Sequence, residues 1–265
     1  MTKATDEELL AARIVFRAVF PVIKVLLDDD PKMAAKFEGV EATVQFIARN
    51  EPEDVAGYIV FSPEGFRSEP GLAEDPDITF RFSSVAKMNA MFAGKPVVPS
   101  LGPLLKALVT KPGLLIKVFS VLLALKLLLP TAKPKTPEIA RLKVKMTLYM
   151  ISTALSQLNK AGDPEMVAWT SKQPERIYQW SCEPEGIAAY LKIKAGKSKA
   201  GRGYYTRRKP FVHVKFSGVD SAIPVLANEV DMVQAMAKGM LANEGSPEYG
   251  AVLGNFMVRV AKLVS

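Results

Sequence analysis

The sequence is poor in the side chains that most often carry chemistry at enzyme and metal sites. It contains one cysteine, Cys182, and one histidine, His213. A single cysteine excludes an intramolecular disulfide and any cluster of several thiolates, and it favours a reducing, intracellular compartment. Zinc sites built on histidine and cysteine are excluded for the same reason, and a Ser-His-Asp triad would depend on His213 alone. We therefore predict neither a cofactor nor an enzymatic activity.

The sequence also lacks a long uncharged apolar run. Its most apolar segment, LLIKVFSVLLALKLLLP at 114–130, is interrupted by Lys117 and Lys126. A membrane-spanning helix needs about 20 largely uncharged residues. The first ten residues, MTKATDEELL, have neither the cationic start nor the apolar stretch of a secretory signal. We expect a cytoplasmic protein, with peripheral contact to a membrane as a further option.

What the sequence does contain is enough apolar material for two domains. The chain has 265 residues, 49% of them hydrophobic and 23% charged. That length suits two domains of roughly 130 residues, each able to bury its own core. The segment PTAKPKTP at 130–137 is rich in proline and lysine and is the predicted linker. The predicted domains are 1–130 and 131–265.

Several short segments occur twice, roughly half the chain apart. Asp-Pro-x-Met at 30–33 returns at 163–166, EPEDVAGYIVF at 51–61 returns as EPEGIAAYLKI at 183–193, and PDITFRFS at 76–83 returns as PFVHVKFS at 210–217. Nearly constant offsets between matching segments indicate an internal repeat. A Pro directly after Asp is typical of a helix end or turn, so we interpret Asp-Pro-x-Met as an architectural corner.

The order of predicted elements is also the same in both halves. A long helix comes first, with a kink expected at Pro21 in the first half and a counterpart at about 139–160 in the second. Short alternating strands follow, exemplified by Ile78, Phe80 and Phe82. Helices close each half. The predicted fold class is α+β, with each half a mainly antiparallel sheet packed on one face by helices and preceded by a long helix.

The segment DPDITFRFSSVAKMNAMFAGK at 75–95 resembles the sterol carrier protein 2 (sterol-transfer) domain family, in which such a strand is followed by a short helix ending near Gly-Lys. The resemblance covers roughly 40–130 and, more weakly, 172–264, so the chain is similar to a tandem pair of such domains. The resemblance implies an intracellular lipid-binding module with a hydrophobic tunnel between sheet and helices. It implies no catalytic chemistry.

The apolar segment at 114–130 differs from the last helix of the second half, which has an ordinary apolar stripe. Lys117 and Lys126 lie about half a turn out of phase, so neither side of the first-half helix is properly polar. We expect this helix to be buried nearly all round. The second half, a membrane surface or a lipid could cover it, and an interface between halves or between copies of the chain is an alternative to a lipid tunnel.

Candidate ligand-contacting residues are apolar side chains of the strands and closing helices. Methionine suits an adaptable pocket, although a methionine stripe such as Met232, Met236 and Met240 is also typical of ordinary core. The predicted contacts are Phe80, Phe82, Met88, Phe92, Leu104, Leu108, Leu115, Phe119 and Leu122 in the first half and Val214, Phe216, Met232, Met236, Phe256 and Met257 in the second.

Charge is distributed unequally between the halves. Residues 1–130 carry 15 lysines and arginines against 16 acidic residues, whereas residues 131–265 carry 20 against 11. Much of the excess lies in the Lys192–Lys209 segment, which contains Tyr204 and Tyr205. Such a segment suits the phosphates of an anionic membrane surface, while nucleic-acid binding or a merely solvated hairpin are alternatives.

Together these features predict a noncatalytic lipid-binding or lipid-transfer protein that holds a sterol, fatty acyl or isoprenoid ligand in an apolar tunnel. The alternative is an accessory or scaffold protein that presents lipid or quinone intermediates to a partner enzyme. The predicted partners are a hydrophobic lipid, transiently an anionic membrane surface, and either a second copy of the chain or a partner enzyme. Nucleic acid is a less favoured partner.

Overall fold

The computed structural model of the protein describes residues 3–264. Within them the chain divides into two compact units, one comprising residues 3–129 with 263 and 264, and the other Pro130–Lys262. The boundary predicted from the sequence lies one residue after this division. Each unit is an α+β structure with its own mixed sheet, and each is described separately below.

The first unit begins with a helical arm that changes geometry twice. Helix α1 (Asp6–Ile14) starts at a capping box in which Thr5 and Glu8 satisfy each other's backbone amides. The arm continues as a π-helical turn, Val15–Val19, and a 3-10 turn, Phe20–Val22, before α2 (Ile23–Asp29). Pro21 has no amide hydrogen and clashes with the preceding turn. The long helix predicted from the sequence is therefore interrupted by these two turns, at the position where a kink was expected.

Asp30 begins the next helix, α3 (Pro31–Phe37), as its N-cap. Its carboxylate accepts hydrogen bonds from the amides of Lys32 at 2.9 Å and Met33 at 3.4 Å, and Pro31 occupies the first helical position, where a missing amide hydrogen costs nothing. Met33 is buried. The Asp-Pro-x-Met motif therefore starts a helix and anchors it to the core.

The sheet of the first unit has four strands in the order β3-β2-β1-β4. The strands β1 (Ala42–Ala48), β2 (Val55–Ser62) and β3 (Gly65–Pro70) form an antiparallel meander, and β4 (Ile78–Phe82) pairs with β1 in parallel. The predicted mainly antiparallel sheet thus includes one parallel pair. Alternate side chains of β4 point into the core, as the period-two pattern predicts.

Three helices and a terminal turn follow β4. They are α4 (Val85–Phe92), α5 (Leu101–Thr110), α6 (Pro112–Ala124) and a 3-10 turn, Leu125–Leu128. Helix α5 packs on β4, and α6 packs on α2 and α3. The most apolar segment, at 114–130, therefore lies largely within α6 and the 3-10 turn, and α5 precedes it across the Lys111–Pro112 step.

The second unit begins with a longer, uninterrupted helix. Helix α7 (Pro137–Lys160) is capped by Thr136 and lies over β6 and β7. The elements that follow are α8 (Pro164–Ser171), β5 (Arg176–Cys182), β6 (Ile187–Lys194), β7 (Lys197–Arg202), β8 (Val212–Phe216), α9 (Val219–Leu226), α10 (Met232–Ala237), β9 (Leu241–Gly245) and α11 (Pro247–Leu263). Asp163 caps α8, accepting from the amide of the buried Met166 at 3.0 Å.

The second sheet has five strands in the order β7-β6-β5-β8-β9. Strand β8 pairs with β5 in parallel, and the remaining neighbours are antiparallel. Without β9, this is the strand order and pairing of the first sheet. Within residues 3–264, no helix has the length and apolar character needed to cross a bilayer.

Buried glutamines fix equivalent loops in the two sheets. Gln45 in β1 accepts a hydrogen bond from the amide of Ala73 at 2.7 Å, and Gln179 in β5 accepts one from the amide of Tyr205 at 2.8 Å. Both glutamines are at most 3% exposed. A buried amide side chain needs such partners, so each glutamine holds the loop that follows the edge strand against the centre of its sheet.

Candidate functional site

Four of the candidate residues in the first unit belong to its packed core. Phe80, Phe82 and Met88 are at most 1% exposed, and Leu115 is 6% exposed. The Phe80 ring stacks on Phe46 with centroids 5.1 Å apart. Zero exposure of Phe80 leaves no water-sized space against its side chain, so the core around it is filled by the unit's own side chains.

The other candidates in the first unit lie nearer the surface. Phe92, Leu104 and Leu122 are half-buried, Leu108 is 52% exposed and Phe119 is 44% exposed. Phe119 meets Phe80 edge to face, with centroids 5.6 Å apart. Phe119 therefore connects the aromatic core with the outer side of α6.

The outer sides of α5 and α6 expose a run of large apolar side chains, called here the apolar face. Inward-facing positions such as Ala107, Val118 and Val121 are buried, so each helix has a packed side and an open side. The expectation that the helix at 114–130 is buried nearly all round is wrong, because Ile116, Phe119 and Leu123 are exposed. The apolar face consists of Leu101, Leu105, Leu108, Val109, Ile116, Phe119 and Leu123, which are 44–82% exposed.

The apolar face lies in a segment without acidic residues. Between residues 101 and 129 the only charged side chains are Lys106, Lys111, Lys117 and Lys126. Lys111 pairs with Asp77, which precedes β4. An apolar surface flanked by lysines is the pattern of helices that lie in the interface of an anionic membrane.

Sequence reasoning included only Leu108 and Phe119 among the seven residues of the apolar face. The other five could not be identified, because an apolar residue in a nearly all-apolar helix gives no sign of which side is packed. They are Leu101, Leu105, Val109, Ile116 and Leu123. The signal that could have found them is the separation of α5 from α6 at the Lys111–Pro112 step, which allows each helix its own orientation.

The candidate residues of the second unit are likewise divided. Val214, Phe216 and Phe256 are buried, Met232 and Met257 are half-buried, and Met236 is 41% exposed. Phe256 packs on Trp169 with ring centroids 5.4 Å apart. Helix α10 ends at Ala237, so the predicted helical stripe that includes Met240 is wrong. The following Gly239 has a φ of +67° and turns the chain towards β9.

His213 lies in a polar cluster beneath the loop that follows β7. Its Nε2 atom is 2.8 Å from Ser181 Oγ and 3.2 Å from Gln179 Nε2. Burial, reinforced by the nearby positive charge of Lys215, lowers the pKa of His213. Ser181 has no exposed surface, so this Ser-His pair lies closed within the sheet and fastens the loop to it. His213 alternates with the buried Val212 and Val214, and its own side of the strand is also covered.

Burial also shifts the pKa of Cys182, at the end of β5. Its thiol is fully buried, and burial, with a smaller contribution from Glu185, raises its pKa to about 12. A thiol in this state is an apolar filler with little thiolate character. Within residues 3–264, no three His, Cys, Asp or Glu side chains are grouped so that they could hold a metal ion.

The β6–β7 hairpin and the loop after it enclose a basic groove of about 400 Å³. Glu175, at the start of β5, lies 3.0 Å from Lys192, 3.5 Å from Lys194 and 3.0 Å from Arg208. Its hydrogen bond to Lys192, with these positive charges, lowers the pKa of Glu175. The groove is lined by Tyr190, Lys192, Lys194, Lys197, Ser198, Lys199, Tyr204, Tyr205, Thr206 and Arg207.

Comparisons with known proteins give only slight likenesses. No protein-family model matches the chain, and no curated protein matches it. Among solved structures, a conserved hypothetical protein of Thermus thermophilus, named as a candidate sterol carrier protein, overlaps with a TM-score of 0.31 and 17% identity. The overlap covers 43% of this chain and 86% of that protein.

Two structures of the sec-alkylsulfatase PisA1 also overlap. One is the stereoselective inverting enzyme from Pseudomonas sp., with a TM-score of 0.25, and the other is a double mutant, with a TM-score of 0.26; both are 16% identical to this chain. Each overlap covers 57% of this chain and 28% of the sulfatase. Overlaps this slight assign neither a function nor a site to the protein.

Proposed function

We propose that the protein is a noncatalytic lipid-binding or lipid-transfer protein whose ligand is a sterol, fatty acyl or isoprenoid molecule. The observation that carries this proposal is the apolar face of α5 and α6. Large apolar side chains exposed together on two consecutive helices mark a site for a ligand, a membrane or a protein, because covering them removes apolar surface from water.

The ligand binds where the apolar face meets the half-buried layer beneath it. Leu104, Leu108, Phe119 and Leu122 then contact its chain. Fully buried residues such as Phe80, Phe82 and Met88 support these contacts from the core. A tunnel that reached them would need α5 to separate from β4, so the primary site is the outer layer and a deeper tunnel would form only when the ligand inserts.

Burial of the ligand's own apolar surface supplies the driving force. Each methylene removed from water contributes about 0.8 kcal/mol, so a chain of a dozen carbons is bound without a polar anchor. A site of this chemistry discriminates weakly between apolar chains, since one methylene more or less changes binding by only about 1–3 kcal/mol. We therefore expect a mixture of bound lipids.

We further propose that the two units are copies of one ancestral unit. The shared strand order, the paired Asp-Pro helix starts and the equivalent glutamines Gln45 and Gln179 support this. In the second unit β9 and α11 take the place of α5 and α6 after the fourth strand. The ligand site is accordingly assigned to the first unit.

Native mass spectrometry of protein purified from its own host tests the proposal. We expect a mixture of lipids at one per chain. A triple variant of exposed residues, Leu105→Ser, Val109→Ser and Ile116→Ser, should lose the lipid and keep the wild-type melting temperature. The matched control replaces exposed apolar residues elsewhere, Leu72→Ser, Val98→Ser and Val233→Ser, and should keep the lipid.

A protein free of lipid in a stable complex with an enzyme would contradict the carrier proposal and support the alternative, an accessory protein that presents lipid or quinone intermediates. The apolar face would then be the docking surface for the enzyme. The same triple variant separates the two, because it should abolish the enzyme complex in the second case without any change in lipid content.

A further inference from the structure

The β6–β7 hairpin places four lysines together on one side of the second sheet. The register pairs Lys192 with Lys199 and Lys194 with Lys197. Directly opposite residues share a face, and so do residues two apart along a strand, so all four lysines project to the same side. They line the basic groove together with Arg207.

This arrangement does not favour folding. Like charges directly opposite each other destabilise a sheet. Glu175 compensates only Lys192, Lys194 and the neighbouring Arg208. Over the described part of the chain, no carboxylate lies within 4.0 Å of Lys197, Lys199 or Arg207. An anion in the groove would relieve the repulsion that these three cations add.

The first unit shows that the architecture itself does not require the lysines. At the matching positions of the β2–β3 hairpin, Val60 pairs with Arg67 and Ser62 with Gly65, giving one cation in place of four. Lysines on an edge strand can prevent sheets from joining, and that would explain Lys197 and Lys199 on β7. It does not explain Lys192 and Lys194, because β6 is paired on both sides.

The floor of the groove is aromatic and closely packed. Tyr190 lies across Gly201, where an added Cβ would come within 2.1 Å of its ring, and Tyr205 meets Tyr190 edge to face at 5.0 Å. The hydrogen bond from the Tyr205 amide to Gln179 fixes the loop. Tyr204 is 41% exposed, and its hydroxyl is hydrogen-bonded to the buried Ser181.

These tyrosines suit a membrane surface better than a nucleic acid. Single-stranded nucleic acids are held by aromatic rings on which successive bases stack. Here Tyr190 and Tyr205 pack on the protein and on each other, so they form no such series. Tyrosine beside lysine is, in contrast, a common composition at the boundary between lipid headgroups and water.

We propose that the basic groove of the second unit binds the phosphate groups of an anionic phospholipid membrane and docks the protein on the bilayer. The choice of a membrane rests on the lipid-binding function proposed above, since a carrier must visit a bilayer to load and unload. The groove holds the headgroup phosphates through charge-assisted hydrogen bonds from its lysines and Arg207.

Co-sedimentation with vesicles tests this proposal. Wild-type protein should bind vesicles of phosphatidylcholine and phosphatidylserine, bind pure phosphatidylcholine much more weakly, and lose binding as salt is raised. The double variant K197Q/K199Q should bind the anionic vesicles about 10- to 30-fold more weakly, as expected for two lysines near the surface. Its melting temperature should be equal to or above that of wild type, because a repulsion is removed.

The matched control is K32Q/K36Q, which removes the same charge from exposed positions of α3 and should bind like wild type. Equal loss in this control, or equal wild-type binding to neutral vesicles, would overturn the proposal. So would tighter binding of a single-stranded oligonucleotide than of anionic vesicles at the same salt concentration, lost in K197Q/K199Q.

The vesicle experiment and the mass spectrometry of bound lipid test the two proposals separately. If K197Q/K199Q loses vesicle binding yet retains co-purified lipid, both proposals are supported. If no lipid is found in wild type or any variant while K197Q/K199Q still loses vesicle binding, the proposed lipid-carrier function is wrong. The proposal that the basic groove docks on a membrane is then still supported.

Discussion

The β2–β3 and β6–β7 hairpins have the same strand lengths and the same register, yet their surfaces are chemically unlike. The β2–β3 hairpin has Val60, Ser62, Gly65 and Arg67 at the positions where the β6–β7 hairpin has four lysines. The backbone is specified by strand period and turn, and both hairpins satisfy those requirements. The requirements of strand period and turn do not determine which side chains face solvent. Differences at such positions therefore indicate function more directly than differences within the sheets.

The segments after the fourth strand differ in a second way. In the second unit β9 pairs with β8 and satisfies its outer edge. In the first unit the equivalent edge of β4 receives one hydrogen bond, from the amide of Ser100 to the carbonyl of Arg81 at 2.7 Å, and is then covered by α5. The first unit covers its edge with a helix whose outer side is apolar, whereas the second pairs it with a strand.

The largest expected effects concern the matched centres of the two sheets. Phe46 and Trp180 occupy equivalent positions of β1 and β5 and are at most 1% exposed. Phe46→Ala and Trp180→Ala should each lower the free energy of unfolding by about 3–5 kcal/mol, because each leaves a large cavity. Urea unfolding followed by circular dichroism measures both.

A conservative variant sharpens this first prediction. In the described part of the chain the Trp180 indole nitrogen is buried without a hydrogen-bond partner. Trp180→Phe should therefore cost much less than Trp180→Ala, since no hydrogen bond is lost and a ring still fills most of the site. Equal damage by the two variants would show that the volume argument is wrong.

The two Asp-Pro helix starts should differ in strength. Asp30→Ala removes a cap and should cost about 1 kcal/mol. Asp163→Ala removes a cap and also an ion pair, because the buried Asp163 carboxylate lies 2.8 Å from Arg259. We expect about 2–4 kcal/mol for it, since a charge-assisted bond adds about 1.5–3 kcal/mol. Thermal melts of the two variants under the same conditions decide this, and equal losses would contradict it.

The next effect in size concerns the groove floor. Gly201→Ala should cost about 1 kcal/mol, because the added Cβ collides with the end of the Tyr190 ring and the ring must move. Glu69→Ala, at the matching position of β3, should change stability by less than about 0.5 kcal/mol because Glu69 is exposed. Unfolding curves measure the cost, and the near-ultraviolet dichroism of the tyrosines should change only in Gly201→Ala.

The smallest expected effect is a pH dependence confined to the second unit. The pKa of His213 is lowered from its ordinary value of 6.5 by burial and by Lys215, with Glu183 and Glu244 opposing. A histidine with a depressed pKa is neutral in the fold, so its contribution is fully present above about pH 6.5 and is lost as pH falls through the folded value. Melts between about pH 7.5 and 5 should show this decline.

The variant His213→Gln provides the control, because glutamine stays uncharged over this range and can still bond Ser181. Its melting temperature should fall less steeply with acidification than that of wild type. The first unit has Thr79 at the matching position, opposite Gln45, and contributes no such dependence. A slope unchanged by His213→Gln would assign the pH effect to other groups.

Most of the fold's ingredients could be predicted from particular residues. Alternation in Ile78, Phe80 and Phe82 predicted a strand, because side-chain period is a local property, and the matching EPE segments indicated an internal repeat. The parallel pairing of β1 with β4 could not be predicted, since it joins strands separated by two others. The π-helical turn before Pro21 also escaped, because proline indicates an interruption without saying which geometry absorbs it.

The site was only partly predictable. The sequence singled out both the apolar segment at 114–130 and the Lys192–Lys209 segment. It could not separate Leu115, which is packed, from Ile116, which is exposed, because the two are chemically alike and differ only in which neighbours the fold provides. It also gave no sign that Glu175 reaches three of the cations and leaves Lys197 and Lys199 uncompensated.

The sequence by itself determined the leading helices, the first four strands of each half, and the scarcity of His and Cys, because these depend on local period and composition. It gave no sign of β9, which lies between the closing helices of the second unit. The tertiary structure alone decided which apolar side chains are left in water and which lysines are left without a carboxylate. Burial and charge pairing are properties of neighbours in space, and those neighbours come from distant parts of the chain.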